Sequence, residues 1–404
     1  MSESLAVSLT KELIKIESTD PGTYESMIKD WIKSWFLDLE KQVLSTSPAL
    51  PGPLIHISEE EVLPGRFNLM AELPGNDRTA PALVWICHMD TVVAGDGWTL
   101  PPFDAEEHNG RIYGRGACDM KSGLACCLSA FSYAVQHQAS TGKTPCRTLK
   151  LICTVDEEDF MRGSESCIRS GWVTNRDWIL DAEPTNGQIQ VAHKGRTWYE
   201  IEVSGHTAHA STPWKGADAI AATAEIIRFI RLAIQNAPTH PDLGMSTVTF
   251  GQITGGYRPY VVPDSAKLWI DMRLVPPLDT AAANTIVEQA IEQAKREVPG
   301  ITAKYTVTGN RPYVEKDPTS LLLKNLAAVC KTVTGTEPVI GYFPGYTDTA
   351  VIAGILRNPN CMSYGPGNLE CAHQPDEWVE ITDILRCEQV YRQLTGLLYD
   401  TMPL

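Results

Sequence analysis

Basic residues are scarce in this chain: 34 lysines and arginines stand against 49 aspartates and glutamates, a formal charge of -15 over 404 residues. Nucleic acids and anionic membranes are bound through basic patches, so neither is expected as a partner. Long apolar runs are lacking too, none approaching the roughly 20 residues that cross a bilayer. The segment from Met1 to Ile16 has no basic start and no continuous apolar core of a secretory leader. It reads instead as an amphipathic helix carrying Leu5, Val7, Leu9, Leu13, Ile14 and Ile16. Regularly paired cysteines are also missing. The eleven cysteines are odd in number and irregular in spacing, and Cys126-Cys127 are neighbours in a helix, so they read as reduced core thiols of a cytoplasmic protein. Neither a glycine-rich phosphate loop nor a serine nucleophile elbow is present.

What remains is the composition of a soluble globular protein, 43% apolar and 21% charged, long enough for about two domains. Residues 80 to 194 alternate strand and helix patterns. Ala82–Cys87, Thr148–Val155 and Trp178–Leu180 read as buried strands and Ser122–Gln136 as a helix, predicting an α/β layer with a largely parallel sheet. Residues 196 to 309 follow another order: strand Thr197–Ser204, helix Asp218–Gln235, strands Ser246–Ile253 and Ala266–Leu274, helix Thr280–Val298 and strand Ile301–Val307. That β-α-β-β-α-β order predicts a ferredoxin-like module. The stripe Ile220, Ala224, Ile227, Ile230, Ile234 is the expected buried face of its first helix. Because a metal-type histidine lies beyond this module, the module reads as an insertion. The expected division is a catalytic domain at 1–195 and 310–404 with a lid or dimerisation domain at 196–309.

Six segments carry residues suited to a divalent metal: Ile86–Asp90, Gly116–Lys121, Thr154–Glu158, Asp181–Thr185, Gly205–Ala210 and Cys371–Glu377. Acids and histidines at strand ends are costly to bury unless a metal or a reaction uses them. In parallel sheets, ligands gather beyond the carboxyl ends of the strands, where His88, Glu157 and Glu158, and Asp181 and Glu183 would meet. Asp90, two residues beyond His88, can accept the second imidazole N–H. Glu157 and Glu158 diverge in extended backbone, so one can hold metal while the other faces water. Taken singly, each acid would pass for a turn or cap residue. Asp156 and Asp159 read as solvated, Asp181 competes with Glu183, His206 reads as structural, and Cys87, Cys118 and Cys153 read as packed thiols.

The order of these segments resembles the co-catalytic zinc amidohydrolases that include acetylornithine deacetylase, succinyl-diaminopimelate desuccinylase, aminoacylase and bacterial glutamate carboxypeptidase. The resemblance implies a two-domain α/β fold, a zinc-peptidase-like catalytic domain with a mixed sheet plus the inserted ferredoxin-like lid. It further implies two Zn²⁺ per subunit, with Co²⁺ or Mn²⁺ able to use the same ligands. His88, Asp119 and Glu183 would hold one ion, Asp119, Glu158 and His373 the other, Asp119 bridging. Three carboxylates against two dications leave a cluster that a bridging hydroxide brings near neutrality. Glu157 is then the general base, Asp90 the partner of His88, and His209 an oxyanion donor reaching into the neighbouring subunit of a homodimer. Arg273, Gly345 and Thr347 are expected to grip a substrate carboxylate. Tyr260 stands where the family commonly has a substrate-holding asparagine, which predicts a differently shaped pocket. The expected reaction is hydrolysis of an amide in an N-acyl amino acid or small peptide. A dipeptidase or carboxypeptidase, a catalytically silent binding relative and, lower, a metallophosphoesterase are the alternatives.

Overall fold

Four apolar strand sequences form the centre of the larger unit. The computed structural model describes residues 3–47 and 52–399, so Met1 and Ser2 of the predicted N-terminal helix lie outside it. In chain order the elements are helices α1 (Leu5–Ile14) and α2 (Ser26–Thr46), strands β1 (His56–Leu63), β2 (Arg66–Leu73) and β3 (Leu83–His88), helix α3 (Ser122–Thr141), strand β4 (Leu149–Thr154), helix α4 (Arg162–Arg169), and strands β5 (Trp178–Asp181) and β6 (Ile189–His193). The next six are β7 (Gly195–Ser204), α5 (Ala219–Gln235), β8 (Thr247–Gly255), β9 (Ser265–Leu274), α6 (Thr280–Glu297) and β10 (Thr302–Arg311). Last come α7 (Leu321–Thr334), β11 (Ile340–Phe343), α8 (Asp348–Leu356), β12 (Cys361–Ser363) and α9 (Ile381–Leu394).

The chain divides into two units, one of Met1–Val191, Lys316–Phe343 and Thr347–Leu404, the other of Ala192–Glu315 with Pro344–Tyr346. The larger unit is built on an eight-stranded sheet in the order β11-β6-β12-β5-β3-β4-β2-β1. Its middle strands β12, β5, β3 and β4 are parallel, whereas β6 pairs antiparallel with β12 and the hairpin β1–β2 continues antiparallel from β4. The sheet is therefore mixed. The prediction of a largely parallel sheet holds only for its middle, and the β1–β2 hairpin had not been read from the sequence. Leu83, Trp85 and Cys87 join a core with α1, α2, α3 and α9, while the alternate residues Val84 and Ile86 are equally buried on the other side, and α8 packs against β3 and β5. All eleven cysteines are unpaired. Among the described residues no helix is long and apolar enough to cross a membrane.

The smaller unit runs β7-α5-β8-β9-α6-β10 as a four-stranded antiparallel sheet ordered β8-β9-β7-β10, the ferredoxin-like topology. Asp218 and Asp279 cap α5 and α6 by accepting the N–H groups of Ala221 and Ala282. Tyr199, Ile201 and Val203 of β7 and the alternate residues of β9 meet the two helices. The buried stripe of α5 is rotated from the predicted one: Ala219, Ala222, Thr223, Ile226, Ile230 and Ile234 face inward, while Ile220 is 41% exposed and Ala224 exposed. Helical spacing fits either of two adjacent stripes, and the one with the small residues Ala219 and Ala222 is the one that packs inward.

Candidate metal centre

Parallel pairing of β3, β4 and β5 brings their carboxyl ends to one edge. His88 closes β3, Glu157 and Glu158 follow β4, and Glu183 lies two residues beyond β5. Asp119 stands in the turn that opens α3, and His373 in the loop before Trp378–Glu380. Gly365 permits the approach beside Glu183: a Cβ there would stand 2.2 Å from the Ala182 carbonyl oxygen and 2.4 Å from that of Glu183. His373 has φ 62°, a left-handed conformation costing a non-glycine residue on the order of 1–3 kcal/mol and commonest at functional sites.

Asp119 is central. Its Oδ1 lies 3.1 Å from His88 Nε2 and its Oδ2 3.4 Å from His373 Nε2. Glu183 Oε1 is 3.7 Å from His88 Nε2, and Glu158 Oε2 is 3.0 Å from His373 Nε2. One ligand atom from each of His88, Asp119 and Glu158 falls within 4.8 Å of the others, as does one from each of His88, Glu157 and Glu183.

The electrostatics are those of a crowded anionic site. Burial first, then neighbouring acids, push the carboxyl groups of Glu157 and Glu183 well above the usual range; burial and Asp119 raise Glu158. Asp119 is held below its usual value despite burial, because His373 and His88 hydrogen-bond to it. Hydrogen bonds to Asp119 and then Glu158 raise His373 to about 10. His88 is raised as well, its burial outweighed by Asp119 and the nearby acids. Protons thus do here what a cation does better, which is to offset several carboxylates at once. His88 Nδ1 lies 2.8 Å from the Asp90 carbonyl oxygen, which only accepts, so Nδ1 donates there and Nε2 is the nitrogen turned to Asp119 and Glu183, the one a metal ion would take in place of its proton. Oxygen and imidazole donors in this arrangement fit divalent zinc.

Several expected residues are placed differently. The Asp90 carboxylate is 3.9 Å from the His88 ring and is used instead by the N–H groups of Glu157 at 3.2 Å and Glu158 at 3.0 Å; its carbonyl serves the ring. Asp181, the rival of Glu183, turns to the Thr349 hydroxyl at 2.5 Å. Asp156, expected in solvent, is wholly buried, with φ 67° and ion-paired to Arg162. Asp159 is exposed as expected. Thr347 is 1% exposed, and its hydroxyl caps α8 at Ala350. Cys118 donates to the Asn368 carbonyl and Cys87 lies beside Cys127, both as packed thiols.

In the smaller unit, His209 is exposed with Nδ1 2.8 Å from the Ser211 hydroxyl, and the His206 main chain pairs with Ala217. Tyr260 is 58% exposed, between β8 and β9. Arg273 is paired with Asp271 at 2.8 and 3.0 Å on the sheet face away from the helices. Half-buried Gly345 hydrogen-bonds through its main chain to buried His193, whose pKa burial lowers to about 4.

Three supports of the site had no assigned role. Arg66 joins Asp20, Glu25 and Asp156, and Glu25 also accepts the Asp156 N–H at 3.2 Å. Buried Asp348 accepts the Thr154 hydroxyl, and burial raises it to about 6. Glu377 binds the main chain at Cys118 and Asp119. Its place inside a metal-type segment was the only available signal.

Known proteins add the lineage. The profile of peptidase family M20/M25/M40 matches residues 84–396. The probable succinyl-diaminopimelate desuccinylase of Staphylococcus aureus strain MSSA476 is 28% identical over 358 residues, 81% of this chain and 85% of that one. The acetylornithine deacetylase of Myxococcus xanthus is 28% identical over 330 residues, 80% and 82% of the two chains. Among solved structures, aminopeptidase PepT from Bacillus cereus superposes with TM-score 0.76 at 20% identity, covering 98% of each chain. The Bacillus subtilis YXEP protein, described as a dinuclear metal binding peptidase from the M20 family, gives TM-score 0.69 at 17% identity over 98% of each. The chain is a member of peptidase family M20/M25/M40 and a hydrolase of that family.

Proposed function

We propose that this protein hydrolyses the amide bond of an N-acyl amino acid, using two zinc ions held in the centre just described. The observation that carries this reading is the convergence of His88, Asp119, Glu158, Glu183 and His373 around the buried acid Glu157. His88, Asp119 and Glu183 would hold one ion and Asp119, Glu158 and His373 the other, with Co²⁺ or Mn²⁺ as substitutes. When bound, the pair supplies an activated water and polarises the scissile carbonyl.

The chain's own residues then do the following. Asp90 orients His88 through its carbonyl and the Glu157–Glu158 turn through its carboxylate. A carboxylate oxygen of Glu157 takes a proton from the attacking water and returns it to the leaving nitrogen. His209 donates to the developing oxyanion, supplied by the partner subunit of a homodimer formed through the smaller unit. Arg273 takes the substrate carboxylate, exchanging Asp271 for it, with Gly345 and Thr347 assigned to the same group, and the Tyr260 hydroxyl serves as a separate hydrogen-bond donor to substrate.

A deacylase is favoured over a dipeptidase or carboxypeptidase because two curated relatives at 28% identity carry the names of a desuccinylase and a deacetylase. The unpaired thiols support a cytoplasmic setting. The test is hydrolysis of N-acetyl amino acids, N-succinyl amino acids and dipeptides by metal-stripped protein with and without zinc. Zinc-dependent amine release from acylated members supports the reading. Release from dipeptides alone moves it to a peptidase, and bound zinc with no turnover of any member counts against both.

A further inference from the structure

The loop carrying His373 is fastened to the segment carrying Asp119 by one carboxylate. Glu377 is 1% exposed, and its Oε1 accepts the backbone N–H of Cys118 at 2.8 Å and of Asp119 itself at 3.1 Å. Its Oε2 receives Arg115 Nη1 at 2.5 Å, and Arg115 is equally buried. The main chains also meet: the Gly114 N–H donates to the Glu377 carbonyl at 2.9 Å, and Trp378–Glu380 pairs antiparallel with Arg111–Tyr113. Asp376 adds a separate anchor, accepting the N–H groups of Thr99 and Leu100.

A structural tie between the two segments needs only the strand pairing and the Gly114–Glu377 main-chain bond. The Glu377 carboxylate does something further, because it grips the backbone nitrogen of the residue whose side chain faces both histidines. Buried carboxylates are expensive to desolvate, and this one is directed at the middle of the centre. A small displacement of the Asp119 nitrogen would move both oxygens, which face His88 at 3.1 Å and His373 at 3.4 Å.

We infer that Glu377, backed by Arg115, is a positioning residue that sets the Asp119 carboxylate for both cation positions at once, and so governs zinc affinity at both. The inference rests on the metal-centre reading above. It separates Glu377 from Glu183 and Glu158, each of which faces one histidine.

The experiment is titration of zinc alone into metal-stripped protein, with thermal melts run in parallel. Glu377→Gln preserves size but turns an amide toward Arg115, displacing the group from the two N–H donors. Both zinc equivalents should weaken together, by about 10- to 100-fold. Glu183→Gln should weaken one equivalent. Asp218→Ala, which removes the cap of α5, lowers the melting temperature without touching the site and should leave both affinities unchanged. A folded Glu377→Gln protein that titrates like wild type, while Asp119→Ala loses both equivalents, overturns the inference. If Asp119→Ala also titrates like wild type, the metal-centre reading fails, and the inference fails with it. Should the amide variant not fold, Glu377→Asp draws the carboxylate back by one methylene and carries the same expectation and the same refutation.

Discussion

Asp90 holds the main chain of Glu157: its Oδ1 accepts the Glu157 N–H at 3.2 Å, and its Oδ2 accepts the next N–H, that of Glu158, at 3.0 Å. The proposed base and a proposed ligand are thus set by one buried carboxylate. Asp90→Asn replaces one acceptor with a donor that faces an N–H. Turnover should fall by roughly 10- to 100-fold with KM little changed. A kcat within twofold of wild type would show that the turn holds itself.

Glu157 and His209 provide a test of subunit sharing. Glu157→Ala should bind zinc normally yet lose on the order of 10²- to 10⁴-fold in kcat, the usual worth of a positioned base. His209→Ala should be similarly inactive. If each site draws its His209 from the partner, mixing the two inactive proteins restores part of the activity. Mixed dimers, verified by mass, that stay inactive would remove His209 from the neighbour's site.

Metal-stripped protein should become more stable on mild acidification. Glu157 and Glu183 are raised above 4.5, so their charging costs stability at neutral pH, and the cost recedes as pH falls toward 4.5. His373 is raised from 6.5 to about 10, so its contribution is complete below 6.5 and fades as pH rises through about 10. Lys121, lowered to about 7 by burial, opposes this only above that value. Buried His193, lowered from 6.5 to about 4, opposes it as pH falls below 6.5, against the combined gain of Glu157, Glu183 and Asp348, the last raised to about 6. Melting temperature without metal should therefore rise from about pH 7 to about pH 5. The zinc-loaded protein should show the reverse, since protons compete for its ligands. Parallel profiles for the two forms would contradict the cluster's role.

The thiols can be counted. Cys146 and Cys371 are half-exposed and the other nine cysteines buried. Burial also pushes up the thiols of Cys118, Cys126, Cys127 and Cys153. An alkylating reagent should modify at most those two quickly in the native protein and all eleven after denaturation without reductant. Fewer than eleven in the second case would reveal a disulfide.

The α/β class, the inserted β-α-β-β-α-β module and the gathering of acids and histidines at one sheet edge were legible in the sequence. Strand periodicity and the residues following each strand are local properties, and parallel pairing necessarily brings strand ends to one edge. The edges of the large sheet were less legible, because β1 and β2 are half-polar and pair with neighbours that no local pattern names. The phase of α5 was off because helical spacing alone does not say which of two adjacent stripes meets the sheet.

The supporting contacts were decided only by tertiary structure. Sequence spacing indicated that Asp90 and His88 belong together, but not that the carbonyl would take the ring while the carboxylate took the next turn. Arg66 reaches Glu25 and Asp156, and Glu377 reaches Cys118 and Asp119, across long stretches of chain. The donor types follow from what a divalent cation binds, and a sequence displays them directly. Their orientation follows from which buried N–H groups and charges need a partner, and that need exists only once the chain has folded around them.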